Sequence, residues 1–292
     1  MTDSWQQVHI TIAKDQLNEI EDFLLSIGAL SVTYKDAGDN PVLEPLPGET
    51  PLWPELIISA LFAQKKNINT VMNILQRHYP ELPLRQDELQ DQDWERSWMQ
   101  DYQPMSFGER LWVVPTEMQA PDENAINLRL DPGLAFGTGT HPTTALCLQW
   151  LDQHSLEQQT LLDYGCGSGI LAVAGLLLGA SAADAVDIDP QAVTATKANA
   201  ANNRVDHKIN VYLVADYKPR QYDLVMANIL SGPLTELGPS LSAYTRAAGT
   251  IILSGILDQQ AEAVRTVYQQ WFDMDEIISN DGWALLTGTK KT

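Results

Sequence analysis

Residues 160–170 of this chain read Thr-Leu-Leu-Asp-Tyr-Gly-Cys-Gly-Ser-Gly-Ile. An apolar run ends in a carboxylate, Gly165, Gly167 and Gly169 follow at alternate positions, and a helical pattern starts at Ile170. A second apolar run, Ala185-Val186-Asp187-Ile188-Asp189-Pro190, also ends in carboxylates. Strand, glycine turn, helix, strand and acid together describe a site for a nucleoside cofactor. Glycine lets the backbone approach a ligand with no Cβ in the way, and Asp187 can accept from both hydroxyls of a ribose. An ordinary glycine-rich turn of an α/β protein is the competing reading, which the spacing to Asp187 disfavours.

The third glycine separates the cofactor classes. In the dinucleotide pattern G-x-G-x-x-G it allows close packing of helix on strand. Here that place holds the bulky Ile170, and glycine falls one position earlier, at Gly169, which argues against NAD or FAD. The pattern Asp-x-Gly-x-Gly-x-Gly instead resembles motif I of the class I S-adenosylmethionine-dependent methyltransferases. That resemblance implies that the glycine turn, with Gly165 and Gly167, faces the methionine part of S-adenosyl-L-methionine, and that Asp187 binds its ribose.

Two further constellations flank this core. Upstream, Asp131-Pro132-Gly133-Leu134-Ala135-Phe136-Gly137-Thr138-Gly139-Thr140-His141-Pro142-Thr143-Thr144 precedes a helix start. Such a loop, opening the domain just before the cofactor strand, is placed to fold over a ligand, and Thr144 is near a helix N-terminus where a ligand carboxylate or amine can be bonded. His141 invites a base or metal role, but no second His, Asp or Glu stands at ligand spacing, so no metal is expected and His141 is read as structuring its loop. Downstream, Asn228-Ile229-Leu230-Ser231-Gly232-Pro233-Leu234 follows the fourth strand, and ligands in open α/β sheets sit at the carboxyl ends of strands. It resembles the Asn-Pro-Pro-Tyr motif of methyltransferases that modify nitrogens. There the Asn carbonyl and the next backbone carbonyl accept hydrogen bonds from the target nitrogen. With Ile229 and Leu230 after Asn228 there is no aromatic platform for a flat base, and an aliphatic amine needs none. A turn-forming Asn at a strand end is the alternative.

These residues need a frame. Val8, Ile10 and Ile12 alternate as in a strand, and Leu17, Ile20, Leu24 and Ile27 follow helical spacing, with Gly28 as helix stop. Leu30–Tyr34, Leu56–Ala63, a helix through Ile68–Leu75 and a weak strand at Pro83–Leu89 complete a βαββαβ order, which fits a ferredoxin-like α+β domain over 1–90. Trp94 and Trp98 share one face of a helical linker, 91–105, the candidate hinge. The third part, 106–292, has two short strands (Arg110–Val114, Asn127–Leu130) and then alternates: helix Thr143–His154, strand Thr160–Tyr164, helix Ile170–Leu178, strand to Asp187 and helix to Asn202. Strands Ile209–Val214, Tyr222–Ala227 and Thr250–Ser254 follow, then helix Asp258–Trp271 and closing strands near Asp275–Ile278 and Trp283–Gly288. This predicts an α/β, doubly wound, seven-stranded, mostly parallel sheet.

Composition bounds the partners. The 292 residues carry a formal charge of −20, with an isoelectric point near 4.4. Direct nucleic-acid binding is therefore disfavoured, because phosphate contacts are mostly Lys and Arg work, and a basic protein is attracted. Two cysteines outside any C-x-x-C pair suggest no disulfide framework. No apolar stretch is long enough to span a bilayer and the start lacks a signal-peptide core, so a cytoplasmic protein without membrane contact is expected.

Taken together, FGTGTHPTT, LLDYGCGSGILA, VDIDP and NILSGPL resemble the bacterial ribosomal protein L-eleven methyltransferases, and the α+β module and Trp-bearing linker match as well. The resemblance covers nearly the whole chain. It implies an enzyme that transfers methyl groups from S-adenosyl-L-methionine to an N-terminal α-amine and lysine side chains of large-subunit ribosomal protein eleven. It places the cofactor contacts at Thr144, Gly165, Asp187 and Asn228, with Asn228 also positioning the acceptor, and makes the N-terminal module the substrate holder. An RNA base N-methyltransferase and a cofactor-binding adaptor without turnover are the alternatives.

Overall fold

The computed structural model describes residues 4–38, 52–63, 65–90, 103–131 and 141–292. The chain divides into two compact units, 1–97 and 98–292.

The first unit runs β1 (Ser4–Ala13), α1 (Leu17–Ser26), β2 (Ser31–Asp36), β3 (Glu55–Phe62), α2 (Ile68–His78) and β4 (Leu84–Gln90). Its sheet order is β2-β3-β1-β4, with every neighbour antiparallel. Alternation along β1 and β3 puts Val8, Ile10, Ile12, Leu56, Ile58 and Phe62 on one face, buried under Leu17, Ile20 and Leu24 of α1 and Val71 and Leu75 of α2. Gly28, at φ +98°, stops α1 as its spacing predicts.

The linker expected over 91–105, with Trp94 and Trp98, lies outside the described residues as far as 102. From Met105 the chain is strand rather than helix, because β5 (Met105–Phe107) pairs antiparallel with β6 (Leu111–Val114). A third strand, β7 (Ile126–Arg129), lies parallel to β6.

The second unit then alternates α3 (Pro142–Gln153), β8 (Thr160–Tyr164), α4 (Ile170–Leu177), β9 (Ala182–Asp187), α5 (Pro190–Asn202), β10 (Ile209–Leu213), β11 (Tyr222–Asn228), α6 (Ser231–Tyr244), β12 (Thr245–Leu257) and α7 (Asp258–Tyr268). It closes with β13 (Phe272–Met274), β14 (Ile278–Asn280) and β15 (Trp283–Lys290). Strands follow the order β10-β9-β8-β11-β12-β15-β13, with β14 beside β15. The first five are parallel, and β15 runs antiparallel to β12 and β13. One apolar layer joins α3 and α4 to the sheet, among them Leu148, Leu151, Ile170, Val173 and Leu224. The opposite layer joins α6 and α7 to it through Leu234, Leu241, Val264 and Tyr268. The sheet is thus mostly parallel and doubly wound, as expected.

Two features depart from expectation. The strand read at Asp275–Ile278 is split into β13 and β14, giving eight strands instead of seven. Asp275 accepts the Thr287 hydroxyl at 2.7 Å while its own N–H donates to the Thr287 carbonyl. This ties down a turn where a ladder would run on. The sequence pattern also places no helix between the strands at Tyr222–Ala227 and Thr250–Ser254, where α6 lies; between β10 and β11, where it likewise places none, there is a short 3₁₀ turn, Val214–Asp216. Tyrosines 164, 212, 217 and 244 pack at that place.

Buried Asp184 of β9 pins this connection. It accepts from Asn210 at 2.9 Å, from Arg220 at 2.6 Å and from the Tyr222 hydroxyl. Burial, first, and the bond to Asp184 raise the Tyr222 hydroxyl well above its usual range, so it stays a donor. Replacing Asp184 by Ala orphans these donors and is expected to lower stability by about 2–3 kcal/mol. Asp184→Asn, which keeps an acceptor, should lose less. Equilibrium denaturant unfolding of both variants checks the order.

Candidate active site at the carboxyl ends of the parallel strands

The glycine turn leaves β8 at its carboxyl end. Gly165, Gly167 and Gly169 all have positive φ, +79°, +53° and +75°, so the chain coils tightly before α4 begins at Ile170. The Gly165 and Cys166 N–H groups both donate to the Val186 carbonyl of β9, at 2.7 and 3.1 Å. At Gly169 a Cβ would lie 2.5 Å from Thr196 Cγ2 and 2.8 Å from Thr196 Oγ1, which explains glycine there rather than one residue later. Ile170 is buried in the helix–sheet layer, so the bulk that argues against a dinucleotide is accommodated as core.

Asp187 ends β9 beside this turn. One carboxylate oxygen accepts from the Gly167 N–H at 2.9 Å, the other from the Asp189 N–H at 3.0 Å. A carboxylate has about four acceptor sites, so capacity remains for two more donors, as a ribose needs. Asp189 caps α5 by accepting the Gln191 N–H at 2.8 Å, with Pro190 in the first turn. From α5, the Thr196 hydroxyl donates to the Gly167 carbonyl at 3.0 Å and the Asn199 amide to the Ser168 carbonyl at 2.8 Å. The turn is therefore held on its donor and acceptor sides, before any ligand arrives.

Asn228 closes β11, and its Nδ2 donates to Thr144 Oγ1 at 3.2 Å. The structure thus brings together two residues that lie 84 positions apart in the chain. With Nδ2 on buried Thr144, the amide presents Oδ1 as its acceptor. His141 is the N-cap of α3: Nδ1 lies 2.8 Å from the Thr143 hydroxyl, and the ring stands edge-on to Trp283 with centroids 4.7 Å apart. Burial lowers its pKa from the usual imidazole value. His141 thus caps a helix, and the loop it is expected to structure, residues 132–140, lies outside the described residues. Among the described residues no group of three His, Cys, Asp or Glu could hold a metal ion.

Asp163, the acid of the turn pattern, has a different part. It is buried, and it accepts the Ala172 N–H of α4 at 3.1 Å. Burial pushes its carboxyl up to about 7, opposed by the Ala172 bond and helped by the charge of Asp187.

Sequence reasoning passed over an aliphatic pair at the same strand ends. Ile188 is 82% exposed and Val214 37%. Leu213 pairs with Asp187 across β10 and β9, so Ile188 and Val214 are the residues that follow directly on that pair at the strand ends. The available signal was an Ile set between two aspartates just past a strand end. A cavity of about 490 Å³ at the far end of α3, lined by Arg110, Asp152 and His154 among others, is a different place. Its Asp152 is already taken by the Glu109 and Arg110 N–H groups.

A family model described as ribosomal protein L11 methyltransferase (PrmA) matches residues 4–291. The chain belongs to that family. The Pseudomonas aeruginosa ribosomal protein L11 methyltransferase is 49% identical over 290 residues, covering 98% of this chain and 99% of that protein. The Citrobacter koseri relative of the same name is 47% identical over 292 residues, with the same coverage. The crystal structure of the ribosomal protein L11 methylase from Lactobacillus delbrueckii subsp. bulgaricus superposes with a TM-score of 0.60 at 33% identity, covering 65% of this chain and all of that one. As a member of this family the chain is an S-adenosylmethionine-dependent methyltransferase. The comparisons favour neither an RNA base methyltransferase nor an adaptor without turnover.

The raised Asp163 gives the apo fold a pH signature. The folded chain keeps that proton up to about pH 7, whereas an unfolded carboxylate releases it near 3.9. Between those values the folded state holds more protons, so this group's contribution to stability falls as pH rises through the window. Asp163→Asn, which can still accept from Ala172, is expected to melt higher than the parent at pH 8, with the gap closing toward pH 4. A gap of constant size across melting curves from pH 4 to 8 would contradict this.

Proposed function

We propose that this protein methylates amino groups of large-subunit ribosomal protein L11, at its N-terminal α-amine and at lysine side chains, using S-adenosyl-L-methionine. The family match and the near-complete alignment with relatives so named support the substrate. The single observation that carries the chemistry is the Asn228–Thr144 bond beside the glycine turn, since it leaves an oriented carbonyl oxygen where a target nitrogen needs an acceptor.

The residues present fit the cofactor. Asp187, held by two backbone N–H groups, would take the ribose hydroxyls. Ile188 and Val214 would offer a flat purine the aliphatic surface they expose, and the turn from Gly165 to Gly169 would let the methionine part approach bare backbone. Thr144, at the start of α3, adds a hydroxyl on the same side. When bound, the cofactor supplies a sulfonium methyl already activated for displacement.

What remains for the chain is to select the neutral amine and align it. An α-amine has a pKa of about 7.7–8.0, so a fair fraction is neutral near pH 7; a lysine at about 10.4 is mostly protonated. Leu230, 52% exposed beside Asn228, and Ile229 supply an aliphatic wall, and desolvation against it lowers a lysine value. Asn228 Oδ1 and the backbone carbonyls after it then accept the nitrogen's protons and aim its lone pair. No general base is assigned. An aliphatic wall also tolerates a nitrogen that already carries a methyl.

The N-terminal α+β unit is assigned to holding the substrate. A basic ribosomal protein suits a chain of charge −20, and neither nucleic acid nor membrane is a direct partner in this reading. The site of action is the cytoplasm, where a ribosomal substrate is made; among the described residues no helix is long and apolar enough to cross a membrane.

Incubation with labelled S-adenosylmethionine and L11 is expected to transfer label to L11 in mass steps of one methyl. Asn228→Ala should weaken cofactor binding, since Asn228 is assigned as a cofactor contact too, and at saturating cofactor it should still turn over roughly 10²-fold more slowly, as expected for lost alignment. Full turnover by that variant would remove Asn228 from the mechanism, and label on RNA instead of L11 would overturn the substrate.

A further inference from the structure

Ile229 follows Asn228 directly, and two glycines from other elements make room for it. A Cβ on Gly165 would overlap Ile229 Cγ2. A Cβ on Gly255 would overlap the Ile229 carbonyl oxygen and lie 2.7 Å from its carbonyl carbon and 3.0 Å from its nitrogen. Gly165 stands at φ +79° and Gly255 at φ +82°, both left-handed. Gly255 belongs to an irregularity of β12, whose register with β15 shifts between Leu253 and Ile256. On its other side, Ser254 still pairs with Asn228. A bulge of this kind re-aims the chain next to a site. Here it brings a residue without a Cβ against the peptide that follows Asn228.

Ile229 therefore reaches from one part of the site to the other. Its side chain is seated on the glycine turn of β8, and its peptide is seated on the bulge of β12. We propose that Ile229 is a spacer, a positioning residue that sets the distance between the turn that holds the methyl donor and the carbonyls that hold the acceptor nitrogen. This rests on the function proposed above. In-line transfer is steeply sensitive to approach, and a displacement of about 1 Å costs on the order of 10²-fold. The contact with Gly165 is made by a side chain, which can be shortened. The contact with Gly255 is made by backbone, which cannot yield in that way.

This difference supplies the test. Ile229→Ala, Gly165→Ala and the double variant would be compared by melting temperature, cofactor Kd from calorimetry, and kcat at saturating cofactor and L11. Ile229→Ala only removes atoms from a half-buried side chain, so it should keep its melting temperature within a few degrees and its Kd within about threefold, while kcat falls about tenfold. Gly165→Ala should lose at least roughly 10²-fold in kcat, because its Cβ drives Ile229 off the turn and Ala is strained at φ +79°. The double variant, in which the new methyl enters the vacated space, should turn over faster than Gly165→Ala alone. A role in packing alone would lower the melting temperature and leave kcat untouched. A kcat for Ile229→Ala within twofold of the parent overturns the spacer, and the double variant measures how much of the Gly165→Ala loss is the clash with Ile229 and how much the strain of Ala at φ +79°. Should Gly165→Ala fail to fold, Ile229→Ala alone decides. The function itself stands or falls separately, on label transfer by the parent and on Asn228→Ala.

Discussion

The carboxylate of Asp187 binds two N–H groups of different origin, and much of the site hangs on that arrangement. One comes from Gly167 in the turn after β8, the other from Asp189 at the start of α5. A carboxylate accepting backbone N–H bonds is held more strongly than a neutral acceptor, so the two strand ends are joined by charge-assisted bonds across the top of the sheet. Asp189 then caps α5, and α5 returns Thr196 and Asn199 to the carbonyls of the same turn. The circuit closes on itself. The turn is shaped by its helix neighbour, and the Asp187 carboxylate is oriented by the turn.

The same circuit explains why the glycines cannot be moved. Thr196 occupies the space where a Cβ of Gly169 would stand, and Ile229 the space at Gly165. Each absent side chain is thus filled by a neighbour, one from the helix behind the turn and one from the strand end beside it. Glycine here does more than permit a positive φ. It allows the donor side and the acceptor side of the site to be packed against each other with no flexible layer between them. The Asn228–Thr144 bond adds a third tie, from β11 to the first turn of α3.

How much of this the sequence disclosed follows the range of each interaction along the chain. The glycine turn, Asp187 and the alternation of strands and helices were legible because each rests on neighbours a few positions apart. The bond from Asn228 to Thr144 was only implicit, since nothing local pairs residues 84 apart; the two residues were named singly, by resemblance. Gly255 was not legible at all, because its significance comes from a bulge and from the peptide of another strand. Ile188 was read past as part of an apolar run, although the strand ends at Asp187 and leaves that side chain 82% exposed. At the split strand around Asp275, a side-chain hydrogen bond from Thr287 competes with the regular strand that periodicity alone suggests. The helix Ser231–Tyr244 was not legible, since Gly232, Pro233, Gly238 and Pro239 break its local helical signal.

The electrostatics of the site set two demands against each other. A chain of charge −20 with Asp187 and Asp189 at the rim attracts a cationic donor and a basic acceptor protein. The same field favours the ammonium form of the acceptor, which cannot react, because a nearby negative charge raises an amine's pKa. Two features soften that penalty. Asp163, the carboxyl beneath the turn, stays largely protonated up to about pH 7 through burial, so it adds less negative charge under the reaction centre than a carboxylate elsewhere would. The surface next to Asn228 is aliphatic, through Ile229 and the exposed Leu230, and desolvation against it acts on the amine in the opposite direction to the field. Long-range attraction and local neutrality are thereby separated in space. On the proposed function, the charge on the rim and the outer surface would gather substrate, and the apolar contact would lie where the lone pair must be free.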